Sequence, residues 1–322
     1  RFGWDTHGLP VEYEMEKELG ISGAAEIEEY GVAEFNEACR SVVLRYVNEW
    51  EEVVTRMGRW VDFEHDYKTM EPDYMETIWW VIRQLWDKGL IYEGYYILPY
   101  DPALATPLSN FEVNLGGYHE VDDPAITVRF KLEEPEKVGA QDDANVYILA
   151  WTTTPWTLPS NLGLALGPEV AYVRVQDGDD QYILAGERLS HYYRSEEDYT
   201  VLQEYNGAEL GGLTYEPLFP YFASHKEEGA FTTRVADFAT ADEGTGIVHV
   251  APGFGEDDYK LFRDTGVTTV VPIDADCKFT ADVADYEGYF VKDADSQIIK
   301  DLKAQGKLVK RETYRHPYPF SY

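Results

Sequence analysis

The hydrophobic period changes along this chain after about residue 95, and the chain divides near residue 115. Before that point apolar residues recur every three or four positions. After it they alternate or gather in short runs. Helices need the first pattern and strands the second, so a helical part followed by a β-rich part is expected. Over 11–60, Phe35, Cys39, Val42, Val43 and Tyr46 keep the helical spacing. A further helix is predicted over about 72–88, with Pro72 in its first turn and Gly89 as its stop. Its Met75, Ile78, Trp79, Ile82 and Trp86 form one apolar stripe, read as core. Short strand runs follow at 125–132, 146–151, 170–175, 181–185, 246–251 and 268–273. Asp177-Gly178 and Gly211-Gly212 punctuate them. Many short strands at close spacing suggest a closed or strongly curved barrel.

The 322 residues suffice for two domains or one large one, and 44% apolar residues with 15% aromatics mark a globular chain. No run approaches the roughly 20 apolar residues of a membrane span, so no membrane partner is expected. No secretory leader is expected either. The opening "RFGWDTHGLPVE" and the closing "HPYPFSY" read as an excerpt of a longer protein. Cys39 and Cys277 lie far apart, which suits a reducing, cytoplasmic setting.

Net charge is −33. That charge serves solubility, or it reflects a halophilic protein in a salty cytoplasm, where screening over a few ångströms makes self-repulsion tolerable. The second reading is the working expectation. Taken alone, the charge argues against a nucleic-acid partner. The best basic stretch is 303–315, with Lys303, Lys307, Lys310, Arg311 and Arg315. It is either a nucleic-acid track or a solvated face.

Three stretches could carry chemistry. "WTTTPWTLPSNLGLAL" at 151–166 is free of charge in a chain that is 27% charged. Its threonine hydroxyls could line a pocket for a polar, uncharged group such as a ribose or an ester. Thr is also simply a good strand residue. In "ADEGTGIVHVAPGFGEDDY" at 241–259, Asp258 past a Gly-rich turn could bind an ammonium group, or cap a helix starting near Asp257. His249 alone reads as a half-buried, hydrogen-bonded histidine. In "GWDTHGLPVE" at 3–12, Asp5 and His7 share a face if the segment is extended. "DADCKFTADVAD" at 274–285 places Lys278 and Phe279 where a calcium loop needs an oxygen ligand and a glycine, so no calcium site is expected.

Together these three stretches resemble the isoleucyl-tRNA synthetases, of the class I aminoacyl-tRNA synthetases. "GWDTHGLPVE" is similar to the segment after that family's His-Ile-Gly-His motif. "WTTTPWTLPSN" and "GTGIVHVAPGFGEDDY" are similar to its two editing-domain motifs. The resemblance implies an α/β fold with a β-rich insertion. Residues 1–115 would be part of a Rossmann-type catalytic core with a helical stem, and 116–322 a β-barrel-like editing domain. It implies editing of valyl-tRNA-Ile, with Asp258 binding the α-ammonium and His249 in the pocket. Asp258, His249, Thr152, Thr153 and Thr154 would be catalytic. Thr157, Asn161 and Trp156 would bind substrate, and Asp5 would lie near the amino group in the synthetic site. It also implies tRNA-Ile, isoleucine and valine as partners, a monomer, and ATP and magnesium for the complete ligase. The need for a second site is energetic. One methylene is worth about 1–3 kcal/mol in a hydrophobic pocket, a range for which isoleucine against valine is the standing example.

Two departures stand out. Many members carry two Cys-x2-Cys zinc pairs at the base of the insertion. Here "PYDPALATPLSNFE" has Asp101 and Leu104, and Ser321 stands in the first position of the second pair, so no zinc is expected. His-Ile-Gly-His and Lys-Met-Ser-Lys-Ser are missing too, so this stretch is not expected to form an aminoacyl-adenylate. The alternative is a non-enzymatic β-barrel binding module, with the threonines as plain strand and Asp258 as a cap.

Overall fold

The structure is a computed structural model and describes residues 1–320. The chain forms two compact units, one of residues 1–95 with 101–106, the other of 96–100 with residues from 107 onward.

In the first unit, β1 (Gly3–Trp4) pairs in parallel with β2 (Tyr67–Lys68). Four helices, α1 (Leu9–Leu19), α2 (Gly23–Tyr30), α3 (Val32–Val43) and α4 (Val47–Arg56), occupy the stretch expected to be helical. Leu9, Met15, Phe35 and Val54 are buried there, whereas Tyr46 is exposed. The helix α5 (Pro72–Asp87) has Pro72 in its first turn and ends just before Gly89, as expected. Its stripe is not core, however. No residue of α5 is buried, and Trp79 and Trp86 are 68% and 63% exposed. Helical spacing shows that a face is apolar. It does not say that the covering surface belongs to the same unit.

The two-residue strands β3 (Tyr100–Asp101) and β4 (Thr106–Pro107) precede the second unit's main body. There α6 (Asn110–Gly116) starts at a capping box of Ser109 and Glu112. The strands β5 (Tyr118–Lys131), β6 (Asn145–Thr152), β7 (Gly163–Leu166), β8 (Ala171–Asp177) and β9 (Asp180–Ala185) follow. After the short α7 (Leu189–Tyr192) come β10 (Thr200–Asn206), β11 (Thr232–Val235) and β12 (Ile247–Val250). Then α8 (Glu256–Phe262), α9 (Val291–Ala304) and β13 (Leu308–Pro319) complete the unit.

β6 is the hub. One edge runs antiparallel to β5. The other is shared by β9, parallel along 145–148, and β12, which meets it at Trp151. Val146, Ile148 and Ala150 enter the main core, while Leu149 packs on the opposite face with Val173, Val175 and Leu184. A strand covered on both faces reads as an unbroken apolar run, which is what "VYILAW" shows.

From β6 the sheet continues through β12 and β7 to β11. The segment 212–216 then closes it. Tyr215 N–H donates to Phe231 O (3.1 Å), Thr233 N–H to Leu213 O (2.9 Å), and Glu216 N–H to Lys131 O (2.8 Å). The seam joins β11 to the end of β5, so the strands curl into a barrel. Phe130, Tyr215 and Phe231 fill the interior beside the seam, edge to face.

The expected strand at 268–273 does not form. It makes only an isolated bridge, Ile273 to Phe279. Pro272 supplies no donor there and instead accepts from Thr280 N–H.

Core packing leads to a direct comparison. Ile148→Ala should cost about 2–5 kcal/mol, since Ile148 is 1% exposed. Trp79→Ala should stay within about 0.5 kcal/mol. Urea midpoints for the two variants check the contrast, and equal losses would contradict this placement of the core.

Candidate functional site

β6 ends at Thr152, and the chain turns through a 310 segment, Pro155–Ser160, before entering β7. Opposite this turn, β12 carries His249 and runs into the loop before α8. Between them lies a cleft of about 590 Å³, within the range of small-molecule sites. Thr152, Thr153, Thr154, Thr157, His249 and Asp258 all line it.

The threonines and the histidine form one string. Tyr215 O–H donates to Asn161 Oδ1 (2.8 Å). The Asn161 amide donates to Gly163 O (2.8 Å) and meets His249 Nδ1 at 2.9 Å. An amide nitrogen only donates, so Nδ1 accepts and the imidazole proton sits on Nε2. Nε2 then donates to Thr157 Oγ1 (2.9 Å), whose own proton goes to Thr154 O (2.8 Å). Thr154 Oγ1 lies 3.2 Å from Thr157 Oγ1 and 3.1 Å from Thr152 Oγ1.

Both nitrogens of His249 are therefore engaged, and burial lowers its pKa to about 3. It stays neutral and positions Thr157. The reading from the residues alone, a half-buried and hydrogen-bonded histidine, has the bonding as found, but the ring is buried at 7% exposure. Asn161 and Trp156 do not line the cleft. Asn161 orients His249 from behind, and Trp156 packs edge to face on Phe254, which does line it (5.0 Å).

Asp258 is not an N-cap. α8 begins at Glu256 with Gly255 at the cap, and Asp258 sits in the first turn. Its Oδ2 accepts the Ala251 N–H across the loop (2.8 Å). Burial pushes its pKa up to about 6; the Ala251 N–H opposes that shift, and the Asp257 charge adds to it. Asp258 thus remains an anion at neutral pH in a partly desolvated place.

Sequence reasoning missed the far wall, built by Phe238, Thr240 and the loop 242–246. Gly244 and Gly246 hold left-handed φ values of 57° and 75°. A Cβ on either would come within 2.6 Å of Trp151 or Ala185. The Arg188 guanidinium pins this loop through Gly244 O (2.9 Å) and Asp242 O (3.0 Å). The Gly-Thr-Gly run was the available signal. Among the described residues no Lys or Arg lines the cleft, while Asp242, Glu243 and Asp258 do. Such a lining suits a cationic guest group rather than a phosphate.

Asp5 lies in the first unit, where its carboxylate accepts from His7 N–H (3.4 Å). In the basic stretch, Lys307 bonds Leu218 O, Lys310 meets Glu312 and His191, and Arg315 pairs with Glu120. These contacts make most of it a paired face rather than a free track. Asp101 accepts from Ala103 and Leu104 N–H (2.8 and 3.3 Å), and Ser321 lies outside the described residues. Among the described residues no helix is long and apolar enough to cross a membrane.

Residues 1–299 match the family described as tRNA synthetases class I (I, L, M and V). Over an alignment of 343 positions the chain is 55% identical to the isoleucine–tRNA ligase of Treponema denticola, covering 99% of this chain and 31% of that protein. Over an alignment of 327 positions it is 49% identical to the cytoplasmic isoleucine–tRNA ligase of Mus musculus, covering 99% and 25%. The chain thus spans less than a third of the length of either relative. Among solved structures, the P. knowlesi cytosolic leucyl-tRNA synthetase editing domain is similar at TM-score 0.45 and 10% identity, covering 62% of this chain and 99% of that one. None of these comparisons bears on the salt expectation.

The two titratable groups pull stability in opposite directions. An unfolded histidine takes its proton near pH 6.5, but folded His249 refuses it until about 3. Its contribution is present above pH 6.5 and lost as pH falls toward 3. Asp258 holds its proton up to about 6, so its contribution is present below pH 4 and lost as pH rises through 6. By NMR, the His249 ring should show no titration between pH 5 and 8 and should keep its proton on Nε2. A midpoint near 6.5 would contradict the string.

Proposed function

Because this chain belongs to the class I tRNA synthetases (I, L, M and V), we propose that it is part of an isoleucine–tRNA ligase whose barrel hydrolyses valyl-tRNA-Ile. One observation carries the reading. A cleft lined with threonine hydroxyls, without a cationic side chain, holds one desolvated carboxylate, Asp258. An aminoacyl ester offers the complement: an α-ammonium for the carboxylate and neutral oxygens for the hydroxyls. Residues 116–322 serve as the editing domain and 1–115 as part of the catalytic core and stem. The complete ligase charges tRNA-Ile with isoleucine in the cytoplasm. ATP and magnesium supply the chemistry of adenylate formation there, with Asp5 near the amino group. No step in the barrel requires either.

The chemistry here is ester hydrolysis. The Asp258 carboxylate takes the ammonium, and Thr152, Thr153 and Thr154 orient a water against the carbonyl. The water oxygen bonds to the carbonyl carbon, the ester C–O bond breaks, and the leaving ribose oxygen takes the proton. Valine and free tRNA result. His249 does not act as the base, since its nitrogens are engaged and its proton affinity is low. The rate comes from positioning. Among the described residues no group of three His, Cys, Asp or Glu side chains is placed to hold a metal ion.

Asp258→Ala should lower valyl-tRNA-Ile deacylation by roughly 10- to 100-fold, the worth of one hydrogen bond to a charged group. The wild-type rate should fall as pH drops through about 6, where Asp258 takes a proton. Normal hydrolysis by the folded variant would point instead to a non-enzymatic binding module. Thr154→Arg should abolish hydrolysis by filling the cleft, with little change in melting temperature because Thr154 is not in the core. A large drop in melting temperature would show that Thr154 serves packing.

A further inference from the structure

The start of the turn that presents the threonines has one backbone donor in need of a partner. A helical turn leaves its first N–H groups without acceptors of their own. Here the first position is Pro155, which has no N–H, and the third, Thr157 N–H, bonds Thr154 O (3.0 Å). Only Trp156 N–H is left. Thr154 stands at the cap position, where a threonine hydroxyl ordinarily accepts from just such a group. It makes no capping bond. Trp156 N–H goes instead to Asp295 Oδ1 on α9, 139 positions away, at 2.8 Å. Asp295 is 5% exposed, beside a turn against which α9 packs.

We infer that Asp295 is a positioning residue: it caps the threonine turn from α9, and so leaves the Thr154 hydroxyl free to face the cleft. With Trp156 N–H satisfied from outside, Thr154 Oγ1 keeps its place between Thr152 and Thr157. Without that carboxylate, the hydroxyl at the cap position is the acceptor such a turn ordinarily uses, and it swings out of the cleft to cap its own turn. An asparagine at 295 keeps an acceptor oxygen on a side chain of the same length, so charge is not what the position requires. Where the proposal extends to hydrolysis, it rests on the deacylation reading above.

The test compares Asp295→Leu, which fills the space without an acceptor, with Asp295→Asn. Each is made in the wild-type and the Thr154→Val backgrounds. Crystal structures report where Thr154 Oγ1 points, independently of any activity. In Asp295→Leu the hydroxyl should move within hydrogen-bonding distance of Trp156 N, while in Asp295→Asn it should stay. Deacylation of valyl-tRNA-Ile should fall roughly tenfold in Asp295→Leu, the worth of one hydrogen bond, and return to within about threefold of wild type in Asp295→Asn. In the Thr154→Val background, Asp295→Leu should cause no further loss. The inference is overturned if the hydroxyl stays put in Asp295→Leu. It is equally overturned if Asp295→Asn is as impaired as Asp295→Leu, or if the losses at 154 and 295 multiply. Should Asp295→Leu not fold, Asp295→Ser, too short to reach Trp156, takes its place. A wild-type chain that leaves valyl-tRNA-Ile intact sinks the deacylation reading, and the position of Thr154 Oγ1 then decides the capping role alone.

Discussion

One buried imidazole ties the barrel to its cleft. His249 gains nothing from water at 7% exposure, so each nitrogen must find a protein partner or carry the cost of going without. Asn161 and Thr157 are those partners. Asn161 in turn is held by Tyr215, whose own N–H forms part of the seam that closes the barrel. The orientation of the threonine hydroxyls is therefore continuous with the closure of the sheet. A fault at the seam reaches the cleft through three side chains, none of which needs to touch a guest.

Much of this was legible in the residues. The period change separated helices from strands, and β6, β8, β9 and β12 fall in runs that read as strands. Pro72 and Gly89 bounded α5 because each acts on its own backbone. The misses share a cause: they depend on partners remote in sequence. The α5 stripe has the right period, yet spacing cannot say what lies against it. The run 268–273 has strand composition, yet no neighbouring strand accepts it. Asp258 looked like a cap because Asp often is one, and its bond to Ala251 N–H needs the loop geometry. Asp295 gave no local sign at all, since its partner is 139 positions away.

The cations of this acidic chain are mostly engaged by neighbours. Arg129 pairs with Asp180 and lies over the Tyr147 ring, Lys292 pairs with Asp123, and Arg188 binds two carbonyls of the cleft loop. Buried Arg174 is satisfied by the Tyr205 hydroxyl, the Gln181 amide and the Gly139 carbonyl, with no carboxylate in its contacts. The positive side chains thus act as struts, and the excess negative charge stands outward. The exposed ion pairs, such as Arg83 with Asp87, add little stability each. Arg174 and Arg188 differ, because they gather backbone segments that would otherwise leave oxygens unpaired.

The long ribbon of β5 and β13 has a consequence for assembly. Pro319 stands directly opposite Tyr118, and Phe320 N–H bonds Gly117 O. The two ends of this ribbon therefore lie side by side. A segment whose two ends meet can be spliced into a host with little loop-closure entropy, because the host's own chain need only be parted by the width of two strands. The body between residues 118 and 319 meets that condition. It can be resized or exchanged without moving the two strand ends that bound it.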